Sequence, residues 1–467
     1  MSENREPIYY NYRHIARVTV EADTPMAVGS GKTDISTDSP VIRDVNGLPY
    51  IPATSMAGIL RHALGITDNE KNPTFGYHDS EGGRGSSIIF TDAVMVGKEG
   101  CPLDGLQDIK WKDDFYAHYR EMNIRQHVRI DEMGVAADGG KFDNEVVFKG
   151  TRFTFEMELY SEASQRDAFD QVLSMLYAET LRVGSGTRCG YGKLRVVTCE
   201  RADLDLSQPN DLQAYAEKSS CLSSEWKAFQ KWEPAEAVGL DAGKWRKYVV
   251  ELHPVDFFLF GAGVGDKEAD NIPVSDVEVE WGDDGVPAFS QRKVLIPATS
   301  VKGALAHRTA YHYNKLCGRY ADKMQDSEMK SHVGGCNEAV SAIFGMSCED
   351  DKLKGKGSRG NIILSDVMWK ENRQKLFYHI KNDTFTGGTI PGALFQEKCV
   401  YGRGDTLTLE ILVNKSAWKD DNIKKAFEQS LDDLCRGLLP LGGVTGRGNG
   451  MFTGTYNKEE NDGEANR

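Results

Sequence analysis

The sequence predicts an α+β fold built twice: two tandem ferredoxin-like domains, each carrying an inserted hairpin. Three observations lead there. The string Ile-Pro-Ala-Thr-Ser occurs at Ile51 to Ser55 and again at Ile296 to Ser300. Further matches flank both copies in unbroken order, the signature of an internal repeat. Within each copy the hydrophobic period changes in the order strand, helix, strands, helix, strand, which is the split βαβ arrangement.

Taken in chain order, Arg17 to Glu21 and Tyr248 to Leu252 are short, β-branched and partly alternating, as expected of an opening strand. Each runs into a glycine loop, Gly29 to Gly31 and Gly261 to Gly263. After the repeated pentapeptide, Thr54 or Ser55 and Thr299 or Ser300 are natural N-caps, and Met56, Ile59, Leu60 and Ala63 have helical spacing. Phe75-Gly76 then matches Phe344-Gly345, and Ile88 to Asp92 matches Ile362 to Asp366. Next come His127 to Asp131 and His379 to Asp383, with Gly139-Gly140 and Gly387-Gly388 able to turn hairpins that return through Phe142 and Phe395. Phe169, Val172, Leu173 and Leu176, like Phe427, Leu431, Leu434 and Leu438, mark one face of a core helix. Gly-rich turns, Gly184 to Gly192 and Gly442 to Gly450, lead into the last strands. Helices on one sheet face would leave the other free, a common platform for RNA.

The predicted boundaries are a first domain at 1–200, a linker at 201–245, a second domain at 246–458 and a disordered tail at 459–467. The linker is polar and acidic, contains Pro209 and Pro234, and is expected to hold a short helix around Glu225 to Trp232. No long apolar run and no signal-like N-terminus is present, so a cytoplasmic protein without membrane contact is expected. Nine cysteines without a repeated spacing read as reduced thiols. The net charge of −14 excludes loose, charge-driven binding to nucleic acid. A nucleic-acid site must be built locally from backbone amides and a few placed cations.

Such cations and amides are present. Ser55 and Ser300 open helices whose first amides attract anions, so they fit either simple capping or contact with a backbone phosphate. Arg61, Lys302 and Arg308 lie on or near the same turns. The closing Gly-rich loops offer Arg188 and Arg447 beside exposed amides, although a tight helix-to-strand turn alone would also use glycine. Arg129 and Lys381 on the hairpins are candidate RNA contacts or solvated strand residues.

The glycine loop followed by Asp38-Ser39-Pro40-Val41-Ile42-Arg43-Asp44 and then Gly47 to Gly58 resembles the RAMP superfamily of CRISPR proteins. The likeness is strongest to the backbone subunits of type III effectors, here as a tandem fusion of two. It covers nearly all of both copies. It implies an RRM-like palm that holds guide RNA (crRNA) and a thumb hairpin that displaces one base pair of the guide–target duplex. It also implies other effector subunits as partners. The Asp before Ser-Pro-Val is the residue that cuts target RNA in that family, with Mg2+ or another divalent metal, and here it is Asp38. A lone carboxylate is a poor metal site, so phosphate oxygens would complete the shell. In the second copy the motif is altered. Asp276, nine residues before Gly285 as Asp38 is nine before Gly47, is the expected counterpart, with Asp266, Asp270, Asp283 and Asp284 as rivals. Cys317, Cys336 and Cys348, near His307, His312 and His332, offer donors for zinc without any CxxC pair, and buried structural cysteine is the alternative. Three other functions stay open: a non-catalytic scaffold, a guide-processing endoribonuclease with His14 as base, and a domain pair that binds a small ligand or protein.

Overall fold

The structure, a computed structural model, describes residues 9–33, 37–67, 70–79, 82–131, 133–236, 238–241, 243–346, 357–369 and 373–458. The first copy is one antiparallel sheet. Its opening strand, Tyr12–Ala22, lies between Arg152–Ser161 and Leu194–Asp205, and Ile88–Phe90 with Val94–Met95 pair with the far side of Arg152–Ser161. The second copy repeats the order, with Trp245–Pro254 between Leu407–Asn414 and Phe452–Lys458, and Ile362–Leu364 outermost. Two helices cover one face of each sheet: Ala53–Ala63 with Arg166–Met175, and Ala298–Leu316 with Asp421–Cys435. This is the ferredoxin-like α+β fold predicted, twice.

Alternation along the opening strands sets the two faces. Ala16, Val18 and Val20 enter the first core, and Tyr248, Val250 and Leu252 the second. Their neighbours point outward. In the first copy that outer face is not free, because the linker lies over it. Arg17 donates to the carbonyl of Ser224, Lys218 pairs with Glu156 at 2.6 Å, and the Tyr215 hydroxyl donates to Glu158 at 2.8 Å. Gln230–Lys231 then adds an edge strand beside Leu194–Asp205. The linker helix is Pro209–Ala216, not the expected stretch around Glu225 to Trp232. Polar pairs rather than apolar periodicity fix this segment, which is why its placement was not readable. The second sheet keeps an open face, but Glu251, Thr408, Glu410 and Thr455 are exposed there. Carboxylates and small polar groups give bases nothing to stack on, so neither sheet face is an RNA platform of the expected kind.

The thumbs are the hairpins Asn123–Ile130/Ala136–Val146 and Gln374–His379/Phe395–Tyr401. In the first, the turn is closed at Asp131, which donates to the Val135 carbonyl at 2.8 Å. Gly139-Gly140 sits instead in the returning strand, where the register slips. In the second, Gly387-Gly388 is at the turn as expected, held by Asp383, whose carboxylate accepts from Phe385 and Thr386.

The copies meet along a seam to which the second copy contributes a hairpin that the first lacks. After Asp276, the hairpin Val279–Trp281/Pro287–Phe289 leaves the second domain and packs into the core of the first. The Trp281 indole donates to the Gly150 carbonyl at 2.8 Å, and the Arg152 guanidinium lies 4.0 Å from its ring. Phe289 stacks on His118 at 3.9 Å and meets Phe148 edge-on at 4.9 Å.

Candidate active site

The loop after Gly31 folds back on the chain that precedes it. Ile42 donates to Val28 at 2.8 Å and Ser30 to Pro40 at 3.0 Å, which leaves Asp38 at an exposed bend. The returning thumb strand holds the bend from the other side. The Asp38 amide donates to the Asp143 carboxylate at 2.9 Å, and the Asp38 carboxylate accepts from the Asp143 amide at 3.1 Å. Thr37 adds a hydroxyl to Asp143 at 2.7 Å. Two residues on, Glu145 accepts from the Val41 amide at 2.8 Å and from Arg43 at 2.6 Å. Asp38 is therefore oriented by its thumb and open to solvent.

The second copy repeats this arrangement around a different residue from the one expected. Val274 donates to Phe260 at 2.7 Å and Ala262 to Ile272 at 2.8 Å, the same two bonds 232 residues on. The exposed bend they define carries Asp270. Its carboxylate accepts from the Gln396 amide at 2.8 Å, and Lys398 donates to the Asn271 carbonyl at 2.9 Å, as Glu145 does to Ser39 at 3.1 Å. Asp270, not Asp276, is the structural counterpart of Asp38. Asp276 is 1 % exposed, inside the seam, where it accepts from Asn123 and pairs with Arg125. Spacing misled because Gly285 belongs to the docking hairpin, so the length inserted there falls between the two anchors. Counted from the upstream glycines the interval is kept, since Asp38 follows Gly29 by nine residues and Asp270 follows Gly261 by nine. Of the other rivals, Asp266 pairs with Lys398 at 2.5 Å, and Asp283 and Asp284 lie in the hairpin turn.

Ser55 and Ser300 lie inside the first turns of their helices and are not caps, because Pro52 and Pro297 hold the cap positions. The first amides, Ala53 and Ala298, each donate to a carboxylate at 2.8 Å, Asp92 and Asp366. Those carboxylates end the repeated strings Ile88 to Asp92 and Ile362 to Asp366, a signal visible in the sequence but not tied to capping. They occupy the positive ends that a phosphate was expected to use.

Among the candidate cations, Arg61 donates to the Thr67 carbonyl at 3.2 Å. Arg308 pairs with Asp433 at 2.5 Å, and Arg447 with Glu397 at 2.9 Å. Arg129 and Lys381 are exposed on the thumbs. Arg188 and Lys302, from different copies, come together at the seam with Arg359. Arg188 donates to the Gly360 carbonyl at 2.9 Å, and Arg359 to the Thr187 hydroxyl at 3.0 Å. Burial, with Arg359 and Arg182 nearby, brings the Arg188 guanidinium down to about 10. Burial and Arg188 lower Lys302. Arg188, Lys302 and Arg359 thus gather where the two copies meet.

One pair escaped sequence reasoning although both of its strings recur. His127 stacks on Phe142 at 5.0 Å between ring centres, and His379 on Phe395 at 4.9 Å, one residue from the amide that holds each candidate carboxylate. His127 also bonds the Tyr191 hydroxyl at 3.0 Å, and burial lowers its pKa.

Among the described residues no group of three or more His, Cys, Asp or Glu is placed to hold a metal ion. Cys317 is exposed and Cys336 half-buried, while Cys348 lies outside the described residues. At the Asp38 bend, the Asp143 carboxylate is already engaged by Thr37 and the Asp38 amide. The residues do not make a resident divalent-metal site on their own. No described helix is long and apolar enough to cross a membrane.

Comparison with known proteins follows the same division. The sequence profile of the RAMP superfamily matches residues 19–195 and 282–453, one match per copy. A protein of Methanocaldococcus jannaschii named as the CRISPR system Cms endoribonuclease Csm3 is 28% identical over 203 residues, which is 38% of this chain and 75% of that protein.

Proposed function

As the chain belongs to the RAMP superfamily, we propose that it is a backbone subunit of a type III CRISPR effector, holding crRNA along two modules and cutting paired target RNA at Asp38 and Asp270. The observation that carries this reading is the recurrence of one geometry: an exposed carboxylate whose oxygen is pinned by a thumb-strand amide, in both copies. The similarity to an endoribonuclease supports cleavage. The cationic seam of Arg188, Lys302 and Arg359 suits a guide backbone, since an anion there relieves the repulsion of like charges. Apolar thumb tips, with Met133 81 % and Phe385 97 % exposed, suit wedging between stacked bases.

A nucleotide splayed by the thumb can swing its 2′-OH in line with its own phosphate. The carboxylate accepts the hydroxyl proton as the O2′–P bond forms, and the P–O5′ bond breaks. The departing 5′-oxygen takes a proton from solvent. A 2′,3′-cyclic phosphate and a 5′-hydroxyl result.

The guide-processing reading loses its base. His14 is 2 % exposed, its Nδ1 2.6 Å from Asp203 and its Nε2 accepting from the Gln165 amide at 3.1 Å. The test is to purify the chain with its partner subunits, sequence the bound RNA, and add a complementary target. Guide-length RNA and two cuts one module apart are expected. Absence of bound RNA would instead favour a small-ligand or protein-binding pair, and guide binding without cuts a scaffold.

A further inference from the structure

We infer that Asp276 and the docking hairpin of the second copy position Asp38 of the first, so that the first cut depends on residues of the neighbouring module. This rests on the reading of Asp38 as a cleavage residue. The chain of contacts has three links. First, Asp276 accepts from Asn123 through one oxygen and from Arg125 through the other, and Arg125 also reaches Asp366 at 3.4 Å. Arg125 is 7 % exposed, and although burial opposes its charge, Asp276 and Asp366 outweigh that and hold it ionised. Second, Asn123 and Arg125 lie on the ascending thumb strand, where Arg125 stands opposite Asn144. Third, Asp143 and Glu145 flank Asn144 on the returning strand, and those two residues tie down Thr37, Asp38, Val41 and Arg43.

The hairpin braces the other side of the same base. Immediately after the returning strand, Lys149 accepts from the Val279 amide at 2.8 Å and pairs with Glu278 at 2.9 Å. Phe148 and Gly150 meet Phe289 and Trp281. Both strands of the first thumb are therefore gripped at their root by the second copy. A buried cation that loses its partner must shift or draw in water, and the strand carrying it shifts with it. Small displacements of a reacting group lower rate steeply. Asp276 is a positioning residue, since it touches neither substrate nor the reacting carboxylate.

The test uses the full chain in its assembled complex. Asp276→Asn keeps the shape and the Asn123 contact but removes the charge. Under single-turnover conditions the first cut is expected to slow by about tenfold, with guide retention and target affinity unchanged. The second cut, in the same molecule, should keep its rate and so reports intact folding. Asp276→Glu should restore the first cut in part. Amide hydrogen exchange at residues 37–39, 41 and 143–145 should speed in Asp276→Asn and return toward normal in Asp276→Glu. A first cut of unchanged rate together with unchanged exchange overturns the inference, and so does loss of the second cut in place of the first. If the wild-type complex makes no cut, the cleavage reading fails, and the exchange measurement alone still decides whether Asp276 braces the Asp38 bend.

Discussion

The two thumbs carry the same carboxylate geometry in different mechanical settings. The first is clamped at its root by the second copy through Arg125, Asp276 and the Trp281 hairpin. The second rests on its own domain, where Phe257–Phe258 pairs with its returning strand and Phe257 packs on Phe377 and Tyr401. The difference teaches that an insertion can act on the neighbour rather than on the domain that encodes it. The residues between Asp276 and Lys293 lengthen the second copy, yet their apolar side chains, Val277, Val279, Trp281 and Phe289, complete the first core.

The largest effect expected from breaking this comparison is chemical. Asp38→Ala should slow the first cut by about 10²- to 10⁴-fold, the usual contribution of a positioned proton acceptor, and leave the second cut in place. Product mapping on a labelled target reads both at once. Next, Trp281→Ala opens the seam and removes a large aromatic from the first core, at a cost of about 3–5 kcal/mol. Faster hydrogen exchange should then be confined to the first copy and the seam. An even loosening of both copies would count against a hairpin that serves only its neighbour.

A smaller effect should be shared equally. Gly192 and Gly450 close equivalent loops with φ of 84° and 76°, and an added Cβ would lie 2.1 Å from the carbonyl oxygens of Val183 and Leu441. Gly192→Ala and Gly450→Ala should each destabilise their own domain by about 1–3 kcal/mol. Denaturant melts showing unlike losses would argue that the two loops are not equivalent.

The smallest effect is a pH dependence centred on Asp366. Burial raises the Asp366 carboxyl to about 6, partly opposed by Arg125. Its folded pKa stands above its unfolded value, so the folded state binds the extra proton. Its contribution to stability falls as pH rises from about 4 to about 6 and stays low above that range. Relative to Asp366→Asn, the wild-type protein should therefore gain stability on acidification from pH 7 toward 4. Thermal melts at stepped pH measure it.

The repeat, the sheet order and the core helices were legible because apolar periodicity and glycine turns dictate them locally. Val18, Phe169 and Leu431 lie in the cores that their spacing predicted. The first carboxylate was legible as well, on motif rather than geometry. The second was not. Counted back from Gly285 the spacing selects Asp276 and counted on from Gly261 it selects Asp270, and what decides between them is long-range: the bond of Asp270 to Gln396, 126 residues away, and the burial of Asp276 in the seam. The roles of Asp92 and Asp366 were hidden for a similar reason, since a helix capped from another strand leaves no mark next to the helix itself. The cover over the first sheet face was equally unreadable, because Arg17, Lys218 and Tyr215 find their partners through charge and hydrogen bonds that carry no period.

The most direct test of two equivalent cleavage modules is the second cut in Asp270→Ala compared with Asp276→Ala, both in assembled complexes loaded with one guide. The structure predicts that Asp270→Ala abolishes the second product and spares the first, while Asp276→Ala keeps the second. Persistence of the second product in Asp270→Ala, with its loss in Asp276→Ala, would contradict the equivalence of the Asp38 and Asp270 bends.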